Sequence, residues 1–130
     1  MIEKNIDRKK LNNIFNEYKE NYSPIINEYT KIYSYIVDNV VVGFLIFTIM
    51  YEKCEIIDIF VKKDYRNKKI AQSLINEIVS DYNLENMTLE VSDKNIPAIN
   101  LYEKLGFKKV AIRKDYYKDS DGILMLKEIR

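Results

Sequence analysis

The stretch from Met87 to Phe107 constrains the fold more than any other part of the chain. Met87 to Val91 alternates as a strand does, with Leu89 and Val91 on one face and Thr88, Glu90 and Ser92 on the other. Asn95 then offers a good N-cap, and Pro97 is tolerated in the first turn of the helix that follows. Ala98, Leu101, Tyr102 and Leu105 recur at helical spacing, so they mark the buried stripe. Gly106 stands where a left-handed residue ends a helix. A strand that feeds a helix of this kind returns by a crossover, which calls for a parallel neighbour. A second unit of the same form precedes it. Cys54 to about Val61 reads as a strand, Lys62 to Lys69 as a charged loop, and Ile70, Leu74, Ile75, Ile78 and Val79 as the apolar stripe of a helix.

The N-terminal half reads differently. Asp7 can cap a helix to about Tyr18, with Leu11, Ile14, Phe15 and Tyr18 on one face. Ser23-Pro24 looks like the start of a short second helix. Ile32 to Asp38 alternates, Asp38-Asn39 signals a turn, and Val40 to Tyr51 is the return strand of a hairpin. Phe107 to about Lys114 and Ile123 to Ile129 are the last strands, and a short strand near Ile2 completes the set. Antiparallel strands followed by two β-α-β crossings define a mixed α/β sheet with helices on both faces. With no repeat, linker or low-complexity run, residues 1–130 read as a single domain.

Composition narrows the functional classes. There is no histidine and one cysteine, Cys54, which removes Ser-His and Cys-His nucleophile systems and argues against a zinc site. A lone cysteine also fits a reducing, cytoplasmic compartment. The 21 basic and 20 acidic residues give a net charge of +1, without the electrostatic footprint of a nucleic-acid binder. No apolar run is long enough to span a membrane, and MIEKNIDRKK lacks the apolar core of a signal peptide.

Three segments can carry chemistry. In the first, a strand runs through a charged loop into a helix, whose first amides and dipole form an anion site beside Arg66, Lys68 and Lys69. The plainer reading is a solvated basic face. In the second, Glu90 reads as a solvated strand residue and Tyr102 as core packing with its hydroxyl at an edge. In the third, Arg113 to Leu126, paired tyrosines precede a polar loop and an apolar strand, which alone indicates only a hairpin.

Taken together over residues 54–128, these segments resemble the GNAT acetyltransferase superfamily, and within it the bacterial ribosomal-protein-alanine N-acetyltransferases. The family's cofactor loop, Arg/Gln-x-x-Gly-x-Gly/Ala, corresponds to Arg66-Asn67-Lys68-Lys69-Ile70-Ala71. Its next block corresponds to Leu89-Glu90-Val91, Asn95, Ala98, Leu101-Tyr102 and Gly106-Phe107. Its ending corresponds to Arg113, Tyr116-Tyr117 and Met125. One departure stands out: the loop's central glycine is Lys69. Lysine keeps the amide available while its φ stays negative; its ammonium then adds attraction or its side chain crowds the pocket, and cofactor binding is expected to survive with a changed affinity.

The resemblance implies a largely antiparallel mixed sheet, splayed between two parallel strands. It implies acetyl-CoA as co-substrate, with no metal. Ile59, Phe60 and Val61 would pair with the pantetheine. Amides from Asn67 to Gln72, including Ile70 and Ala71, would hold the pyrophosphate, and Asn95 would contact the cofactor. Glu90 matches the general base and Tyr102 the acid that protonates the leaving thiolate. Tyr116 and Tyr117 would line the acceptor channel or pack at its rim. The expected acceptor is the α-amine of a protein or peptide N-terminus. A small amine or a lysine side chain is the second enzymatic reading, and a non-catalytic acyl-CoA-binding module the third. The chain would act as a monomer or homodimer, without nucleic-acid or membrane partners.

Overall fold

The computed structural model describes residues 1–130. The elements run β1 (Ile2–Glu3), α1 (Asn12–Tyr18), β2 (Thr30–Val37), β3 (Val40–Met50), β4 (Lys53–Val61), α2 (Ile70–Asp81), β5 (Asn86–Ser92), α3 (Ile96–Lys104), β6 (Lys108–Tyr117) and β7 (Ser120–Glu128). All seven strands form one sheet in the order β1-β2-β3-β4-β5-β7-β6. Asp7 accepts a hydrogen bond from the Lys9 amide and starts a 3-10 turn, Arg8–Leu11, that leads into α1.

Two tight hairpins build the first half of the sheet. Asp38 and Asn39 have φ of 50° and 65°, the paired left-handed conformation that suits a two-residue turn. Tyr51 and Glu52 make the same kind of turn, at φ of 54° and 70°, without the residues that usually favour it. Helices cover both faces. On one, α2 places Leu74, Ile75 and Ile78 in the larger core with Leu45, Phe47, Met87, Leu89 and Met125. On the other, Leu11, Ile14 and Phe15 pack against Val41, Phe44 and Ile46. Each such buried side chain contributes roughly 1.5–3 kcal/mol of hydrophobic stabilisation.

Three expectations need correction. First, β6 is not the neighbour of β5, because β7 lies between them and is antiparallel to both. Only the crossing through α2 joins adjacent parallel strands. The order follows side-chain chemistry: β7 buries Ile123 and Met125, whereas β6 carries Lys108, Lys109, Arg113 and Lys114 and is exposed along almost its whole length, as an edge strand tolerates. Second, no helix forms at Ser23-Pro24, and residues 22–27 have no regular structure. Ile25 and Ile26 find no core there, and Asn27 turns the chain by accepting from the Tyr29 amide. A helix so short, with no face to bury, does not repay its nucleation. Third, the buried residue of α3 is Ile99, flanked by the partly buried Ala98, Tyr102 and Leu105, while Leu101 is 40% exposed.

The sheet opens at its centre. β4 and β5 pair only where Lys53, Cys54 and Glu55 meet Asn86, Met87 and Thr88. Beyond that, Ile57 is an extra residue in β4: Phe47 pairs with Ile56, and Ile46 with Asp58. This bulge bends β4 away from β5 and turns Asp58 to the α1 face. The facing edges of both strands are left unpaired.

Candidate active site

The opening between the two strands is a cleft of about 510 Å³. Ile56 to Ile59 line one wall and Leu89 to Ser92 the other. Asn95 and Tyr102 close it from α3, Tyr18 and Lys19 from the end of α1, and Tyr116 and Tyr117 from the β6–β7 hairpin. The structure thus brings Ile59, Glu90, Asn95, Tyr102, Tyr116 and Tyr117 together around one space. Phe60, Val61 and the loop from Arg66 to Gln72 continue beyond that lining, along the end of β4 and into α2.

The loop has the electrostatics of an anion cradle. None of the six amides from Asn67 to Gln72 has a hydrogen-bond acceptor within the protein. The Ser73 amide makes the first bond of α2, donating to the Lys69 carbonyl at 2.9 Å. Asn67 and Lys69 both sit at φ of 62° and curl the amides inward. Lys69 therefore does not keep a negative φ; it takes the left-handed conformation a glycine would have taken. Lys69 is also the N-cap residue of α2, a position usually occupied in the extended region, and its side chain makes no capping hydrogen bond. Arg66 folds back on β4, its Nε donating to the Val61 carbonyl at 2.8 Å and its guanidinium over the Phe60 ring. Gly43, opposite Val61, makes room for this corner: a Cβ there would lie 3.2 Å from Ile70 Cγ2.

At the other end stand the titratable groups. Glu90 is largely buried, and Arg113 Nε lies 3.0 Å from its Oε1 as an ion pair. That approach is too oblique for a hydrogen bond, so neither carboxylate oxygen carries one. Tyr102 has its pKa pushed up to about 12, first by burial and then by the charges of Asp58 and Tyr117. It stays protonated at any working pH. Burial and its neighbours Tyr116, Glu90 and Asp58 raise Tyr117 also. The tyrosine pair is set by a second bulge, where Asp115 has φ of 54° and donates its amide to Asp121 at 2.8 Å. Asn95 accepts from the Ala98 amide through Oδ1, which leaves its Nδ2 free to donate into the cleft. Cys54 is buried, and desolvation pushes its thiol up to about 12, so it has no nucleophilic character.

Sequence reasoning did not single out Asp58, Tyr18 or Tyr22. The Tyr18 hydroxyl donates to Asp58 Oδ1 at 2.7 Å and the Tyr22 hydroxyl to Oδ2. Burial is the first cause of the raised pKa of both phenols, and the bond to Asp58 the second. An aspartate in the middle of an apolar strand was the available signal. Without the bulge its face could not be assigned.

The sheet is split, with unbonded loop amides at one end of the opening and a largely buried carboxylate and phenol at the other. Residues 5–107 match the acetyltransferase (GNAT) family, and the chain belongs to that family. A curated N-alpha-acetyltransferase of Saccharolobus solfataricus is 40% identical over 107 residues, which is 70% of this chain and 64% of that relative. The match thus spans less than two thirds of the relative's length. The crystal structure of the ribosomal-protein-S18-alanine N-acetyltransferase from Escherichia coli has the same fold, with a TM-score of 0.80 and 21% identity over 99% of this chain and 93% of that one. So does a GNAT family acetyltransferase from Elizabethkingia anophelis with acetyl-CoA bound, with a TM-score of 0.74 and 18% identity over 99% of this chain and 97% of that one.

Proposed function

We propose that this chain transfers the acetyl group of acetyl-CoA directly to a primary amine, the N-terminal α-amine of a protein or peptide. The observation that carries this reading is the two-ended cleft, with six free amides beside Arg66, Lys68 and Lys69 at one end and Glu90 with Tyr102 at the other. The acceptor class follows the N-alpha-acetyltransferase that shares 40% of the aligned residues.

The chain's own residues divide the work. The amides from Asn67 to Gln72 bind the pyrophosphate, helped by the positive end of α2. The free edge of β4 at Ile59, Phe60 and Val61 pairs with the pantetheine, and Asn95 Nδ2 donates to the same chain. This aligns the thioester along the cleft, where acetyl-CoA supplies the activated acyl group. Glu90, with no hydrogen bond of its own, accepts the proton the acceptor amine must lose, through water. An α-amine has a pKa of about 8, so this demands little. Tyr102 donates to the leaving sulfur. At about 12 its pKa lies further above that of a thiol than an ordinary phenol's would. Its main contribution is a hydrogen bond that strengthens as charge builds on sulfur, and any proton it gives up returns quickly. Tyr116 and Tyr117 form the acceptor's wall.

Thiol release from acetyl-CoA, followed with N-terminal peptides, a lysine-bearing N-blocked peptide and polyamines, tests the proposal. N-terminal peptides should accelerate release most. Release driven by polyamines alone would reassign the acceptor. Binding of acetyl-CoA without release by any amine would reduce the chain to a binding module.

A further inference from the structure

Among the carboxylates that line the cleft, Glu90 has a cation within the protein, since Arg113 lies against it. Glu55 and Asp58 have none. They occupy neighbouring places on one face of β4, because their partners on β3, Thr48 and Ile46, are two residues apart. Glu55 is exposed, whereas Asp58 is half-buried and close enough to Tyr102 for its charge to raise that phenol. The arginines nearby are engaged elsewhere. Arg8 sits over Phe15 and Arg66 over Phe60, while Lys19 lines the cleft itself, over the Tyr18 ring, without forming an ion pair with Asp58.

A half-buried carboxylate beside the reacting groups, without a cation, is costly unless something answers its charge. The two tyrosine hydroxyls satisfy one lone pair on each oxygen and fix the orientation of the carboxylate. They are neutral and leave the charge unanswered. Each oxygen keeps further acceptor capacity, and Asp58 itself lines the cleft. The acceptor of the proposed reaction arrives mostly as an ammonium, with three donors and one positive charge.

We propose that Asp58, held by Tyr18 and Tyr22, is the residue that receives the acceptor's ammonium group and makes the site selective for cationic amines. The proposal rests on the acetyl-transfer reading and adds a division of labour. Asp58 binds the amine in its charged form, and Glu90 takes its proton at the point of attack. Tyr18 and Tyr22 are positioning residues that tie the end of α1 and the segment after it to this carboxylate. In this way the N-terminal region is coupled to recognition of the acceptor.

The test uses the whole chain saturated with CoA, which has no acetyl group to transfer. Binding of an alanine-initiated peptide is compared at pH 6.5 with that of its desamino analogue, in which propionyl replaces the alanine. Wild type should bind the amine about tenfold more tightly, in keeping with a partly desolvated charge pair. Asp58→Asn keeps the shape of the side chain and should bring the ratio to about one or two. Tyr18→Phe, which removes one hydroxyl and keeps the charge, should preserve most of the preference. A wild-type ratio near one would overturn the proposal. So would a ratio that survives Asp58→Asn in a variant whose circular dichroism and CoA binding match wild type, or one abolished by Glu90→Gln instead. Acetyl transfer by the wild type is measured alongside. Transfer without an effect of Asp58 on the ratio sinks the proposal alone, whereas no transfer to any amine sinks the reading beneath it.

Discussion

Replacing Lys69 by glycine should make the protein more stable, although it removes a side chain and a charge. Lys69 holds φ of 62° and ψ of 23°, where a Cβ crowds the following carbonyl at a cost of roughly 1–2 kcal/mol. Glycine removes that cost but returns about 0.5–1 kcal/mol of chain entropy to the unfolded state. The net gain is about 0.5–1 kcal/mol, which for a domain of this size is roughly 2–4 °C in Tm. Lys68 is the control, since its φ is not positive and it bears the same charge in the same loop. Lys68→Gly should therefore lose about 0.5–1 kcal/mol. Asn67 shares the left-handed φ of 62°, but asparagine tolerates it well, so Asn67→Gly should change little. Thermal melts and urea titrations of the three variants read the pattern directly. If Lys69→Gly lowers the midpoint, or if Lys68→Gly and Lys69→Gly move it equally, the reasoning from backbone strain is refuted.

Gly43→Ala places a Cβ 3.2 Å from Ile70 Cγ2 and 3.4 Å from the Phe60 carbonyl. It should cost about 1–3 kcal/mol in urea denaturation and weaken acetyl-CoA binding, because the start of α2 must shift. Tyr102→Phe should lower kcat by about 100-fold while the Kd for acetyl-CoA changes little, as rapid-quench kinetics beside calorimetry would show. Tyr18, Tyr22 and Tyr102 all have pKa values raised above the ordinary 10.0. Their contribution is fully present below pH 10 and is lost as pH rises beyond it, so the melting temperature should fall on the alkaline side of pH 10 and be unaffected by these groups between pH 7 and 9. Asp81 is depressed below 3.8, chiefly by its bond with Lys4, so its contribution is present above that value and lost as pH falls through the depressed pKa in acid melts.

Local chemistry made most of the fold legible. Asn95 and Gly106 bound α3 because a cap and a left-handed stop act within a few residues, and Asp38-Asn39 turns its hairpin for the same reason. What periodicity could not supply was anything decided between strands. The insertion of β7 beside β5 depends on which of two late strands is the more apolar, and spacing alone does not compare them. The turn at Tyr51-Glu52 is imposed by strands that already pair, so its residues give no signal. The cleft was legible as a set of residues: Glu90, Tyr102 and Asn95 all reach it. Asp58 was not, because its face is set by the extra residue Ile57, and a one-residue slip moves every later side chain across the sheet. Lys69 shows the opposite limit. Its identity argued for an ordinary backbone, and the geometry of the turn into α2 prevailed.

Where the acetyl group lands is the most direct measurement. A peptide with a free alanine N-terminus and one internal lysine is incubated with the chain and acetyl-CoA, and tandem mass spectrometry locates the added 42 Da, about the mass of an acetyl group less a hydrogen. Acetylation on the α-nitrogen, slowed about 100-fold in Tyr102→Phe under single-turnover conditions, is the expected result. Acetyl on the lysine ε-nitrogen, or an unmodified peptide while acetyl-CoA is shown to bind, would contradict transfer to a protein N-terminus.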